Sequence, residues 1–172
     1  MKAIKFHIVV LILTGVFGFR AEAQVSVTSQ VFAEIIEALT ATETSQLNFG
    51  RFFPRDEGGE IQITPDGVRL VFGSVTLGSG PHSAASYEIS GESGMSFTII
   101  LPSSPTVLTN INNSKTMLVY DWQSIPPPGQ GAGQLQGGSQ QVNVGATLAV
   151  GPLDENPVGI YTGTYTITFS YN

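Results

Sequence analysis

Gly159-Ile160-Tyr161-Thr162-Gly163-Thr164-Tyr165-Thr166-Ile167-Thr168-Phe169-Ser170-Tyr171-Asn172 is the stretch on which the reading of this chain turns. Tyr161, Tyr165, Ile167, Phe169 and Tyr171 fall on one parity, with Gly163 in the same series. Thr162, Thr164, Thr166, Thr168 and Ser170 fall on the other. Successive side chains of a strand point to opposite faces, so this pattern predicts an amphipathic β-strand from Gly159 to Tyr171 with one face in a core. The same period of two recurs upstream in Leu47 to Phe52, Glu60 to Thr64, Val68 to Phe72, Ser74 to Leu77, Ala84 to Ser90, Met95 to Leu101, Thr116 to Trp122 and Gln141 to Val150. Turn residues separate nearly all of these segments. In Thr64-Pro65-Asp66-Gly67, proline presets φ and glycine accepts positive φ, which predicts a tight hairpin. Many short strands without a credible helix between them predict an all-β chain, an antiparallel immunoglobulin-like sandwich.

Two stretches resist a single reading. Val31 to Leu39 places Val31, Ile35 and Leu39 at helical spacing, but its β-branched content favours a strand, with a short helix as the alternative. Ile125-Pro126-Pro127-Pro128-Gly129 through Ser139 is rich in Pro, Gly and Gln, and reads as a mobile surface loop. A tolerated insertion is the favoured account of it, and a ligand-binding loop the other.

At the opposite end, Met1-Lys2-Ala3-Ile4-Lys5 is basic, Phe6 to Phe19 is almost uncharged and apolar, and Ala21-Glu22-Ala23 offers small residues at a cleavage site. This predicts a signal peptide over 1–23 and an exported protein beginning at Gln24, destined for the periplasm, cell surface or medium. So short an apolar run predicts no stable membrane anchor. Residues 24–40 read as an N-terminal strand or extension, and 41–172 as the sandwich domain.

The 172 residues carry 7 Lys+Arg against 13 Asp+Glu, a formal charge of -6. Loss of Lys2, Lys5, Arg20 and Glu22 with the leader removes three bases and one acid, which takes the charge to -8. Nothing in such a chain could neutralise a row of phosphates, so nucleic acid is not an expected partner. Apolar residues at 41% rule out disorder as the default state. Charged residues at 12% are too few for a coiled coil or long helical bundle. There is no cysteine, hence no disulfide to staple an exported domain.

The chemistry expected of an enzyme is missing. After the leader the only histidine is His82, within the turn Ser79-Gly80-Pro81-His82-Ser83, and a catalytic imidazole needs both a nucleophile and an orienting carboxylate in reach. Asp154-Glu155-Asn156 offers oxygen ligands for calcium but lacks EF-hand spacing, so solvated turn acids are the better reading. No phosphate-binding glycine loop opens a helix. The chain is therefore expected to be no enzyme and to need no cofactor or metal.

The ending resembles the C-terminus of chaperone–usher pilus subunits, with Gly159 fourteen positions from the end and Tyr171 penultimate. More broadly, the chain resembles the bacterial family named domain of unknown function 4402. The matching pieces are Leu47-Asn48-Phe49-Gly50, Ala84 to Gly91, Phe97-Thr98-Ile99-Ile100-Leu101-Pro102, Val142 to Val150 and the ending from Gly159. The pilus resemblance implies an incomplete sandwich whose vacant edge is filled by a strand from a periplasmic chaperone and then from the next subunit. Gly159, Tyr161, Tyr165, Ile167, Phe169 and Tyr171 would form the acceptor edge. Val25, Val27 and Val31, on one face of Gln24 to Val31, would form the donor, making self-association or a chaperone–usher pair the expected partners. The alternative is a monomeric carbohydrate-binding or adhesion module, with Tyr120 and Trp122 as a platform for a glycan or surface receptor. There the competing reading of Trp122 is a half-buried residue at one end of the sandwich.

Overall fold

The computed structural model describes residues 24–172, so the leader read over 1–23 lies outside the described residues. Among the described residues there are eleven strands and no helix. The sheet-bearing compact unit is Ile36–Asn172. Its strands are β1 (Thr40–Ser45), β2 (Phe52–Ile63), β3 (Arg69–Leu77), β4 (Ala85–Ser90), β5 (Ser96–Ile100) and β6 (Thr106–Asn110). They continue as β7 (Thr116–Ile125), β8 (Gly129–Gln134), β9 (Ser139–Val150), β10 (Tyr161–Thr162) and β11 (Thr168–Tyr171).

The larger sheet runs β1-β4-β9-β7-β6-β10, with β2 joining β9 to β3, and the smaller runs β11-β5-β8. Every strand pairing is antiparallel. The chain is thus all-β, two antiparallel sheets in a curled, sandwich-like arrangement. At its centre lies β9, which pairs with β4 through Ser139–Val144, with β2 through Ala146–Val150, and with β7 on its other side. Val142, Val144, Ala146, Leu148 and Val150 are all buried. One core cluster packs Phe49, Ile61, Ile63, Val75, Met117 and Val119 against the second half of β9, and the other packs Ala85, Ile89, Phe97, Ile99 and Leu135 against the first half.

The Thr64–Gly67 hairpin forms as expected, with Gly67 N–H donating to the Thr64 carbonyl at 2.8 Å and Gly67 at φ 85°. Four expectations need correction. The stretch 125–139 is not a loose loop: Gly129–Gln134 is a strand of the small sheet, and Leu135 is fully buried. Glycine makes that pairing fit, because a Cβ on Gly133 would overlap the Phe97 ring. Val31 to Leu39 forms neither strand nor helix, since it joins no hydrogen-bonded ladder. Gly159 to Tyr171 is not one strand. It pairs with β6 at Tyr161–Thr162, leaves both sheets over 163–167, and pairs with β5 at Thr168–Tyr171. Asn156, read with Asp154 and Glu155 as a solvated turn residue, is instead buried: its Oδ1 accepts from Gly151 N–H at 2.6 Å and its Nδ2 donates to the Thr116 carbonyl at 2.9 Å.

Candidate functional site

The C-terminal segment is the place to start, because its two ends are held in different sheets. Gly159 abuts the amide of buried Asn110, whose Oδ1 accepts from Asn112 N–H at 2.9 Å. Tyr161 lies opposite Asn110 in the ladder and donates its hydroxyl to the Pro157 carbonyl at 2.8 Å. Gly163 comes so near the Val107 carbonyl that a Cβ there would overlap it. Tyr165 packs on Trp122 with centroids 4.5 Å apart, and its hydroxyl shares a 2.8 Å hydrogen bond with that of Tyr87. Ile167 and Phe169 pack into the second core cluster, Phe169 with its ring 5.9 Å from Tyr87 and 6.2 Å from Phe97. Tyr171 ends the series: its hydroxyl accepts from Glu92 N–H at 2.7 Å and donates to the Glu37 carbonyl at 2.8 Å.

Opposite this segment stands a second wall. The Arg69 guanidinium donates to the Phe49 carbonyl at 3.1 Å and the Gly78 carbonyl at 3.2 Å, which fixes the approach to β2. Phe52–Pro54 pairs on one side, with Val75–Leu77 of β3. Between the walls lies a cleft of about 860 Å³ whose lining includes Leu47, Phe49, Met117, Val119, Leu148 and Trp122. It shares Leu47, Gly163 and Tyr165 with an adjoining hollow of about 500 Å³ that reaches Glu43, Tyr87 and Ile167. Of this lining, Phe49, Met117, Val119 and Leu148 are buried core side chains, and Leu47 and Trp122 are half-buried.

Backbone along the cleft is as unfilled as the apolar lining. Tyr161–Thr162 and Thr168–Tyr171 each pair on one side, and 163–167 joins no ladder with any described strand. The buried Trp122 Nε1 finds no hydrogen-bond partner among the described residues. Free edges of this kind invite another strand. Burial lifts the Tyr165 hydroxyl above the ordinary tyrosine value, and its bond to Tyr87 adds to the effect. Burial likewise raises Tyr87, although its bond to Tyr165 works the other way.

The other residues singled out in the sequence divide clearly. Val25, Val27 and Val31 lie in a segment without regular structure and are exposed, as are Phe32 and Ile35. Tyr120 and Trp122 do not form a platform, because the ladder slips between Tyr120 and Gln123, with Asp121 at φ 51°. This sends Trp122 into the core, packed against both clusters, while Tyr120 donates its hydroxyl to Glu60 on the outer face. That carboxylate pushes the Tyr120 hydroxyl up to about 12. His82 is exposed. Sequence reasoning missed the wall made by Leu47 and Phe49. Their alternation was legible, but not that it faces an opening.

Among the described residues no group of three or more His, Cys, Asp or Glu is placed to hold a metal ion, and no helix is long and apolar enough to cross a membrane. No curated protein and no solved structure matches the chain. A family model does match, over residues 39–171, from just before β1 to the last residue of β11. The chain belongs to the family described as domain of unknown function DUF4402.

Proposed function

We propose that this protein is an exported structural subunit whose cleft receives an extended apolar strand from a partner, so that assembly into a fimbrial-type fibre or surface matrix completes the core. The observation that carries this reading is the coincidence of two unmet needs in one place. An apolar cleft of about 860 Å³ is bordered by backbone that pairs on one side or not at all. A strand laid there supplies backbone partners and apolar side chains together, as in β-augmentation. An exported chain without cysteine has no disulfide to offset an open core, and a lent strand offsets it.

Sedimentation of the full chain, expressed with its own leader and refolded over a range of concentrations, tests this. Discrete oligomers are expected, with emission from Trp122, the single tryptophan, shifting to the blue as the cleft fills. A protein that stays monomeric with unchanged emission at every concentration, with and without periplasmic extract, is no subunit of this kind.

A further inference from the structure

We infer that β3 is the contact edge of a two-fold dimer, in which Arg69–Gly73 pairs antiparallel with the same segment of a second copy and Val71 lies on the axis. This interface is separate from the strand-receiving cleft, whose lining includes no residue of β3.

The strand β3 pairs with β2 and with no other described strand, so one side of its backbone is open. The hairpin shows which groups are open. Thr64 N–H donates to the Val68 carbonyl at 2.9 Å, which makes that a bonded pair. Bonded and non-bonded pairs alternate along the unbroken register from Ile63–Arg69 to Gly59–Gly73. Leu70 and Phe72 therefore bond inward to β2, and a Cβ on Gly59 would indeed overlap the Phe72 carbonyl. The N–H and C=O of Arg69 and Val71 point outward, free to pair. Natural edges are guarded by charge, yet the one charge on β3 is Arg69, whose guanidinium is engaged by the Phe49 and Gly78 carbonyls. Leu70 and Phe72 are 40% and 52% exposed on the outer face beside this open backbone.

Charge and self-complementarity select a second copy as the occupant. A two-fold interface sets residue i against j and j against i. With Val71 opposite Val71, Leu70 of each copy meets Phe72 of the other in a non-bonded pair, where side chains approach most closely. Arg69 then meets Gly73, which has no side chain to obstruct it. The same register brings the turn carrying Asp66 alongside Thr76 of the second copy, to which Arg55 Nε donates at 3.0 Å. An acid thus meets a base twice. Residues 24–172 carry twelve acids and four bases, and no acid lies on β3, so copies repel least along this edge. A shift of two residues one way sets Val71 against Arg69 and the turn beside Ser74. The opposite shift sets Leu70 against Ser74 and the turn beside Gly78.

Because the chain has no cysteine, disulfide trapping reads the register directly. Full-length Leu70→Cys and Phe72→Cys, both at exposed positions, are oxidised separately and as an equal mixture. Thr42→Cys on β1, another edge of the large sheet, gives the background. The mixture is expected to yield several-fold more disulfide-linked dimer than either variant alone or the background. Leu70→Cys or Phe72→Cys linking best by itself overturns the register, and background yields throughout overturn the interface. In sedimentation equilibrium, Asp66→Lys is expected to weaken the dimer several-fold and Arg55→Glu in the same chain to restore it. A loss that the second substitution does not restore overturns the charge pairing. Pairing through β3 leaves Trp122 emission unchanged, which distinguishes this dimer from filling of the cleft.

Discussion

Gly159 shows how a single residue can be required for a reason that alternation alone does not reveal. It sits against the side chain of Asn110, which is buried and committed to hydrogen bonds with the 110–112 turn and the Pro157 carbonyl. Gly159→Ala is expected to destabilise the fold by about 1–3 kcal/mol, the usual cost of forcing atoms into an occupied site, measurable by urea titration. The Tyr87–Tyr165 pair gives a pH dependence at the same scale. Both hydroxyls are raised above 10.0 in the folded protein, so the folded state holds these protons more tightly than the unfolded chain. Their contribution is complete below pH 10 and is lost as pH rises through the higher folded values. Thermal melts should be flat across neutral pH and fall above about pH 10, and Tyr165→Phe should make that fall shallower. An unchanged slope in the variant would remove the pair from this account.

At the scale of elements, the chain segment most misjudged from sequence is 125–139. Proline and glycine there look like loop-formers, yet Gly129–Gln134 closes the small sheet against β5, and Leu135 fills the second core cluster. Glycine was read as a sign of freedom when its role is close approach, made visible only by the Phe97 ring beside Gly133. Leu135→Ala is therefore expected to cost about 2–5 kcal/mol, as for a core leucine, whereas a leucine in a loose loop would cost almost nothing. The ending was misjudged in the opposite sense: perfect alternation from Tyr161 to Tyr171 suggested one unbroken strand. Alternation fixes which side chains face inward, not which neighbour supplies the ladder, and here the neighbour changes from β6 to β5 across 163–167. In hydrogen exchange, amides of 163–167 should exchange faster than those of β9, and assembly should slow them.

For the whole molecule, the proposed function links export to assembly. A leader over 1–23 predicts that the protein recovered from outside the cytoplasm begins at Gln24. Intact mass measurement should show the loss of residues 1–23, and an uncleaved chain would argue against an exported subunit. Period-two alternation, the turn at Thr64–Gly67 and the buried run of β9 were legible in the sequence because they depend on neighbours a few residues away. So was the inward parity of Tyr161, Tyr165, Ile167, Phe169 and Tyr171. What only the tertiary structure decided was how β2, β7, β9 and the C-terminal segment come together around an opening. Pairing partners distant in sequence leave no mark on local periodicity, and a vacancy between two walls belongs to neither of them alone.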